Sequence, residues 1–259
     1  MDALRLIIDP EFGDGFYNMA LDMALADAVR QGRSAATVRF YGWNPPAISL
    51  GYNQRAGEID PAACAAAGID VVRRPTGGRA VFHKDEFTYS VAAREDHPLL
   101  GGTVLETYRT IAGALIAGLR GLGIEAEMVK SGAGAPGGQR AASCFAAAGR
   151  YEVTVNGRKI IGSAQRRIDG VILQQGSLLL AQPQQVPELG LQDSGGAVTA
   201  AQLLGRKVEF DEAARAMAAG FTQAWEMSFE RAAISGDEHA AALELARRGR
   251  SGDRGENFH

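Results

Sequence analysis

The stretch Arg73-Arg74-Pro75-Thr76-Gly77-Gly78-Arg79-Ala80-Val81-Phe82-His83 is the part of the chain around which the rest is organised. An apolar, strand-like run at 69–72 leads into it. Further strand-like runs follow, around Val81 and Phe82 and again at 87–91. Adjacent glycines carry no Cβ, so the backbone can turn with positive φ and press against a ligand. Successive exposed N–H groups in such a turn can hold an anion or a polarised carbonyl. Arginines on both sides add positive charge that does not titrate near neutrality. A Gly-Gly pair alone is more often a plain hairpin turn, and on these residues both readings stay open.

Outward from this loop, the periodicities alternate between strand and helix. Strands are expected at 4–8, 37–41, 47–52, 125–129, 151–155, 159–164 and 171–180. The second and third are broken by Gly42-Trp43-Asn44-Pro45-Pro46. Asn156-Gly157 between β-rich segments is a strong hairpin signal. Phe16, Met19, Ala20, Met23 and Ala26 recur at helical spacing, with Gly32 as the stop. Asp60-Pro61 opens a short helix through Ala67, with Asp as the cap and Pro at the first helical position. Residues 103–122 keep a 3.6-residue apolar pattern, and 211–229 and 237–246 also read as helical. Residues 130–142, rich in Gly, Ala and Ser, read as a mobile surface loop, and 247–259 as a polar, frayed end. The expectation is one mixed domain over 1–248 with a tail at 249–259: antiparallel hairpins with helices packed on the sheet.

Composition narrows the function classes. The 259 residues are 46% apolar, enough for a full core. A net charge of -3 argues against a broad nucleic-acid surface. Two cysteines, Cys64 and Cys144, make neither a disulfide framework nor a zinc site. No apolar run reaches the ~20 residues of a membrane span, and the first ten residues do not read as a signal peptide. The default expectation is a soluble cytoplasmic protein with reduced thiols.

Three features can carry chemistry: the Gly-Arg loop, Cys144 and Lys159. Cys144 lies in Ser143-Cys144-Phe145, just past the glycine-rich loop, where a thiol can be solvated and reached. The alternative is a small hydrophobe filling a gap. Cys64, among alanines on its short helix, reads as structural. Lys159 follows the Asn-Gly turn and is either an inward-facing strand residue or an ordinary solvated lysine. Gly162-Ser163-Ala164 places three small residues inside a strand, which marks close approach by a ligand or another backbone.

Together with 73–83, the segments Lys159-Ile160-Ile161-Gly162-Ser163-Ala164-Gln165 and Gln175-Gly176-Ser177-Leu178 resemble the biotin/lipoate protein ligase fold family. Asn18-Met19-Ala20-Leu21-Asp22 is similar to that family's first helix, and the resemblance runs from about residue 4 to the strand near Leu180. It implies an α+β fold like class II aminoacyl-tRNA synthetases and biotin protein ligases, with a mixed, mostly antiparallel sheet. The family holds ATP-dependent ligases and cysteine-dependent octanoyltransferases, and Ser143-Cys144-Phe145 with Tyr151-Glu152 and Lys159 resembles the transferase branch.

That branch implies Cys144 as the acyl-thioester nucleophile. It implies Lys159 as the group that lowers the thiol pKa and contacts the acyl carbonyl. Arg73, Arg74, Thr76, Gly77, Gly78, Arg79, His83, Gly162, Ser163, Ala164, Gly176 and Ser177 would bind substrate. A Cys-His pairing through His83 is the weaker option, since the family uses lysine and a strand-end histidine usually satisfies a local hydrogen bond. No cofactor or metal is implied. The implied donor is octanoyl-acyl carrier protein; Arg73, Arg74, Arg79 and Lys84 could steer it in or could instead pair with local acids such as Asp85 and Glu86. The implied acceptors are lipoyl domains, such as the glycine cleavage H protein or 2-oxoacid dehydrogenase subunits. An ATP-dependent lipoate ligase, a lipoyl amidotransferase and a non-catalytic binding module are the alternatives.

Overall fold

A computed structural model describes residues 4–55, 59–130, 151–181 and 197–251. The strands in chain order are β1 (Leu4–Ile8), β2 (Thr37–Tyr41), β3 (Ala47–Leu50), β4 (Asp70–Arg73), β5 (Val81–His83), β6 (Glu86–Arg94), β7 (Glu127–Lys130), β8 (Tyr151–Val155), β9 (Arg158–Ile168), β10 (Val171–Leu179) and β11 (Phe229–Arg231). The helices are α1 (Gly15–Arg30), α2 (Pro61–Ala66), α3 (Val104–Gly121), α4 (Ala200–Leu204), α5 (Phe210–Trp225) and α6 (Gly236–Arg250). The main sheet runs β11-β1-β2-β6-β10-β9-β8-β7, and a small sheet runs β4-β3-β5. β1 pairs in parallel with β2 and β11, and β3 with β4; the remaining pairs are antiparallel. The sheet is therefore mixed and mostly antiparallel, as the resemblance implies.

Helices cover both faces. On one, α3 and α5 pack over Val38, Phe40, Phe87, Tyr89 and Val91, closing the largest core with Ile111, Leu115 and Phe221. The two helices cross at backbone contact, since a Cβ on Gly220 would fall 2.2 Å from Gly118 N. On the other face lies α1, backed by α6 and packed against β6, β10 and the small sheet. Local sequence explains the helix starts. Asp14 accepts from Tyr17 N at the head of α1, and Asp60 with Pro61 caps α2. Thr103 and Glu106 form a capping box on α3.

Several expectations are corrected. The helix expected over 211–229 stops at Trp225, where Glu226 takes a left-handed conformation (φ 50°). Phe229–Arg231 then turns back as β11, because the outer edge of β1 offers it unpaired backbone groups. Residues 247–250, expected to fray, finish α6, so the helix crosses the expected boundary at 248. Arginines in that last turn face the negative end of the helix dipole. The short helix α4 was not expected. Its signal was there: Thr199 and Gln202 make a capping box. The loop at 130–142, apart from Lys130, lies outside the described residues.

Candidate functional site

The small sheet holds the Gly-Arg loop by its arginines. Arg73 Nη1 donates to the carbonyls of Gly51 (2.7 Å), Tyr52 (3.0 Å) and Gln54 (2.8 Å). Arg74 is buried. Its Nη1 donates to the Ser49 carbonyl at 2.8 Å and to Ser49 Oγ at 2.9 Å, and its Nη2 to the carbonyls of Gly77 (2.8 Å) and Arg79 (2.7 Å). Burial lowers the Arg74 pKa to about 10, which leaves it charged at neutral pH. Gly51 is required here, because a Cβ on it would sit 1.9 Å from the Gly78 carbonyl oxygen. Gly78 itself has φ 101°, a turn that glycine alone adopts freely. Both arginines thus have donors on backbone carbonyls, while Gly78 and Arg79 are exposed at the loop tip.

His83 lies inside this support. It stacks on Trp43 (centroids 4.0 Å apart), with Nε2 2.6 Å from Ser49 Oγ and Nδ1 2.7 Å from Glu86 Oε1. The ring is buried, and it links Glu86 through Ser49 to Arg74. Glu86 also accepts from Thr88 Oγ1 at 2.6 Å.

The face of the main sheet beneath the loop follows from β-strand alternation. Gln175 Nε2 donates to Asp22 on α1 at 2.6 Å, so Gln175 points to the α1 side. Ser177 shares that side, as do its ladder partner Gly162 and the partner of Gln175, Ala164. All three are half-buried. They make a floor of small side chains beside Thr76, which is fully buried and donates to Gln175 Oε1 at 2.8 Å. Ser163 and Gly176 face the other way. Ser163 Oγ lies 2.8 Å from Tyr89 OH in the α3-side core, and a Cβ on Gly176 would meet Tyr89 Cε1 at 2.6 Å. The stretch 162–164 is therefore not one lining: its middle residue supports the sheet from behind.

Lys159 reaches this floor because β9 carries a bulge. Thr154 pairs with Lys159 and Val153 with Ile161, so Ile160 is an extra residue. Ile160 and Ile161 are both buried, which a regular strand would not allow on one-sided burial. The bulge sets Lys159 over Gly162, where a Cβ would come 3.4 Å from Lys159 Cε and 3.7 Å from its Nζ. The Lys159 side chain is 42% exposed, and its ammonium pairs with Glu152 Oε1 at 3.1 Å. An exposed pair of this kind is worth ~0–1 kcal/mol, so it does not fix the lysine. At the far end of the floor, Arg166 donates to the Pro75 carbonyl at 3.2 Å and stacks on Tyr52 at 3.5 Å.

The structure thus brings together the Gly-Arg loop, Gly162, Ala164, Ser177 and Lys159. Cys144 and its neighbours lie outside the described residues. Cys64, the comparison thiol, is buried and its pKa is raised, first by desolvation and then by Asp60. Sequence reasoning assigned no role to Glu152, Arg166, Gln175 or Asp22. The last two stand within motifs that had been quoted, and only their long-range pairing reveals what they hold. No described helix is long and apolar enough to cross a membrane.

Comparison with known proteins places the chain in a family. Residues 14–222 match the lipoyl protein ligase A/B catalytic domain. The chain is 43% identical to the octanoyltransferase LipM of Symbiobacterium thermophilum over 248 residues, covering 86% of this chain and 87% of that one. It is 41% identical to the octanoyltransferase LipM of Geobacillus kaustophilus, covering 93% of each. Among solved structures, a lipoate-protein ligase A bound with ATP superposes with a TM-score of 0.76 at 24% identity, over 95% of both chains. A bipartite lipoate protein ligase from Thermoplasma acidophilum gives 0.73 at 23% identity, over 100% of this chain and 96% of that one. At these identities the structures establish the fold alone.

Proposed function

The chain belongs to the lipoyl protein ligase A/B catalytic-domain family, and from that premise we propose that it works as an octanoyltransferase of lipoate biosynthesis, moving the acyl group through a cysteine thioester. The donor is octanoyl-acyl carrier protein and the acceptor the lysine of a lipoyl domain, such as the glycine cleavage H protein or a 2-oxoacid dehydrogenase subunit. The reaction takes place in the cytoplasm.

The observation that carries the reading is Lys159, set by a bulge over a floor of small residues and held, among the described residues, by a weak, half-exposed ion pair. Acyl transfer from a thioester to an amine needs a nucleophile that is also a good leaving group, and a thiolate is both. An ordinary cysteine, with a pKa of ~8.5, is mostly protonated at neutral pH. A nearby ammonium favours the thiolate by ~1.4 kcal/mol per unit of pKa depression. Cys144 is seven residues before Tyr151, the first residue of β8, and Glu152 on β8 is the partner of Lys159.

In the first half-reaction the Cys144 thiolate attacks the donor carbonyl, the C–S bond to the carrier breaks, and the carrier thiolate takes a proton from solvent. In the second, the neutral acceptor amine attacks the acyl-cysteine and gives up one proton to solvent as the amide forms, and Cys144 leaves as thiolate. The Lys159 ammonium and backbone N–H groups at Gly162–Ala164 or Gly77-Gly78 are the donors for the oxyanion. Loss of one such donor commonly costs ~10²–10³ in rate. Each buried CH₂ of the acyl chain adds about 0.8 kcal/mol, so an apolar slot beside the floor can hold a medium chain. Arg79 at the loop tip and Lys84 are suited to steer an acidic carrier, and neutralising either raises the KM for carrier-bound substrate.

The test is intact-mass measurement after incubation with octanoyl-acyl carrier protein. The expected result is an octanoyl adduct that is lost in Cys144→Ser. Transfer that requires ATP and survives Cys144→Ser would instead assign the ligase reaction.

A further inference from the structure

We propose that Thr76 and Gln175 are positioning residues that orient the Gly77-Gly78 loop, with Asp22 of α1 as their anchor. The proposal rests on the octanoyltransferase reading, in which that loop faces the donor.

Thr76 stands in the loop where a ligand contact is expected, yet its side chain turns inward. It is fully buried, its hydroxyl donates to Gln175 Oε1 at 2.8 Å, and its carbonyl accepts from Tyr52 N at 2.9 Å. Solvent exposure begins only at the next residues, Gly77 and Gly78. The chain is therefore held from two sides immediately before its two glycines.

The orientation of Gln175 is what makes the hold specific. Its Nε2 donates to Asp22 Oδ2 at 2.6 Å. Rotating the amide by half a turn would set its carbonyl against a carboxylate, so Oε1 must point to Thr76. Asp22 is fixed in turn. Its Oδ1 accepts from Arg39 Nη1 (2.8 Å) and Ser90 Oγ (2.7 Å), and its Oδ2 from Tyr41 OH (2.9 Å) as well as Gln175. The guanidinium of Arg39 also donates to Asp9 and Asn18, and all of these side chains are buried. Four donors saturate the carboxylate, and nothing in the set is free to turn. The loop thus inherits its position from α1, β2, β6 and β10 together. Serine could make the same bond as Thr76, whereas valine keeps the shape and loses the donor.

The experiment compares the full-length wild type with Thr76→Val, Thr76→Ser and Gln175→Met. Steady-state kinetics use octanoyl-acyl carrier protein and a lipoyl domain, and amide hydrogen exchange is followed at Gly77–Arg79 without substrate. Thr76→Val and Gln175→Met are expected to raise the donor KM about tenfold to a hundredfold, the scale of a misplaced binding element, and to speed exchange at Gly77 and Gly78. The acceptor KM should stay near its wild-type value, and Thr76→Ser should restore both readouts. Wild-type donor KM and exchange in Thr76→Val would overturn the proposal. So would a parallel loss of both KM values, kcat and Tm, which marks a general packing role. If the wild type moves no octanoyl group while exchange still rises in the variants, the positioning stands and the octanoyl reading is what fails.

Discussion

Two polar regions meet on the α1 side of the sheet, and they are built in opposite ways. Around Asp22 and Arg39 every group is dry and saturated with partners. Burial works against the Arg39 charge, but the Asp22 and Asp9 carboxylates more than reverse this and leave its pKa raised. Around Lys159 the opposite holds: among the described residues it has one ion pair, both members more than a third exposed. The first region can fix the position of a backbone loop because its geometry has no alternative. The second can hand its ammonium to another anion because leaving Glu152 costs little. A site that must hold one substrate and release another has use for both.

Substitutions should separate the two regions by size of effect. Asp22→Ala leaves Arg39 paired with Asp9 alone and strips four buried donors of their acceptor, and breaking a buried pair commonly costs ~3–5 kcal/mol. Urea unfolding should show that loss, and a value near zero would mean the hub is wetter than its burial indicates. Gly51→Ala comes next. It drives a methyl into the Gly78 carbonyl, and overpacking of this kind costs ~1–3 kcal/mol. Its activity should fall more than its Tm indicates, because the strain falls on the loop.

Away from the site, Arg5 and Glu238 tie β1 to α6 at 2.5 Å. Desolvation acts to raise the Glu238 pKa, but bonds from Arg5 and Ser235 outweigh it, so the net shift is downward. A depressed carboxylate contributes stability above its ordinary titration range near pH 4.5, and that contribution is lost as pH falls through the folded pKa. Glu238→Gln should therefore cost about 1 kcal/mol at pH 7, with the gap to wild type closing in acid. The smallest change is expected for Glu152→Gln, under ~1 kcal/mol in the same unfolding assay. A larger loss there would erase the contrast between the two regions.

Local signals made much of the fold legible. The Asn156-Gly157 turn has positive φ at both residues (50° and 73°), as an Asn-Gly hairpin requires. Asp60-Pro61 caps its helix as read, and Cys64 is buried as read. What escaped was non-local. The bulge at Ile160 depends on how β8 pairs with β9, and two adjacent isoleucines do not announce it. Alternation separates Ser163 from Gly162 and Ala164, but only the partner strand shows which side faces the loop. The inward turn of Thr76 depends on Gln175, 99 positions away, which is held in turn by Asp22. Arginines beside glycines suggest an anion site, yet Arg73 and Arg74 spend donors on backbone carbonyls. Composition cannot separate that use from ligand binding.

Whether the Lys159 ammonium serves the Cys144 thiolate is read most directly from the pH dependence of alkylation at Cys144 by iodoacetamide. Buried Cys64 serves as the slow internal reference. With the ammonium in that role, the Cys144 midpoint falls below the ~8.5 of an ordinary cysteine and rises towards that value in Lys159→Gln. A Cys144 that titrates identically with and without the lysine would contradict it.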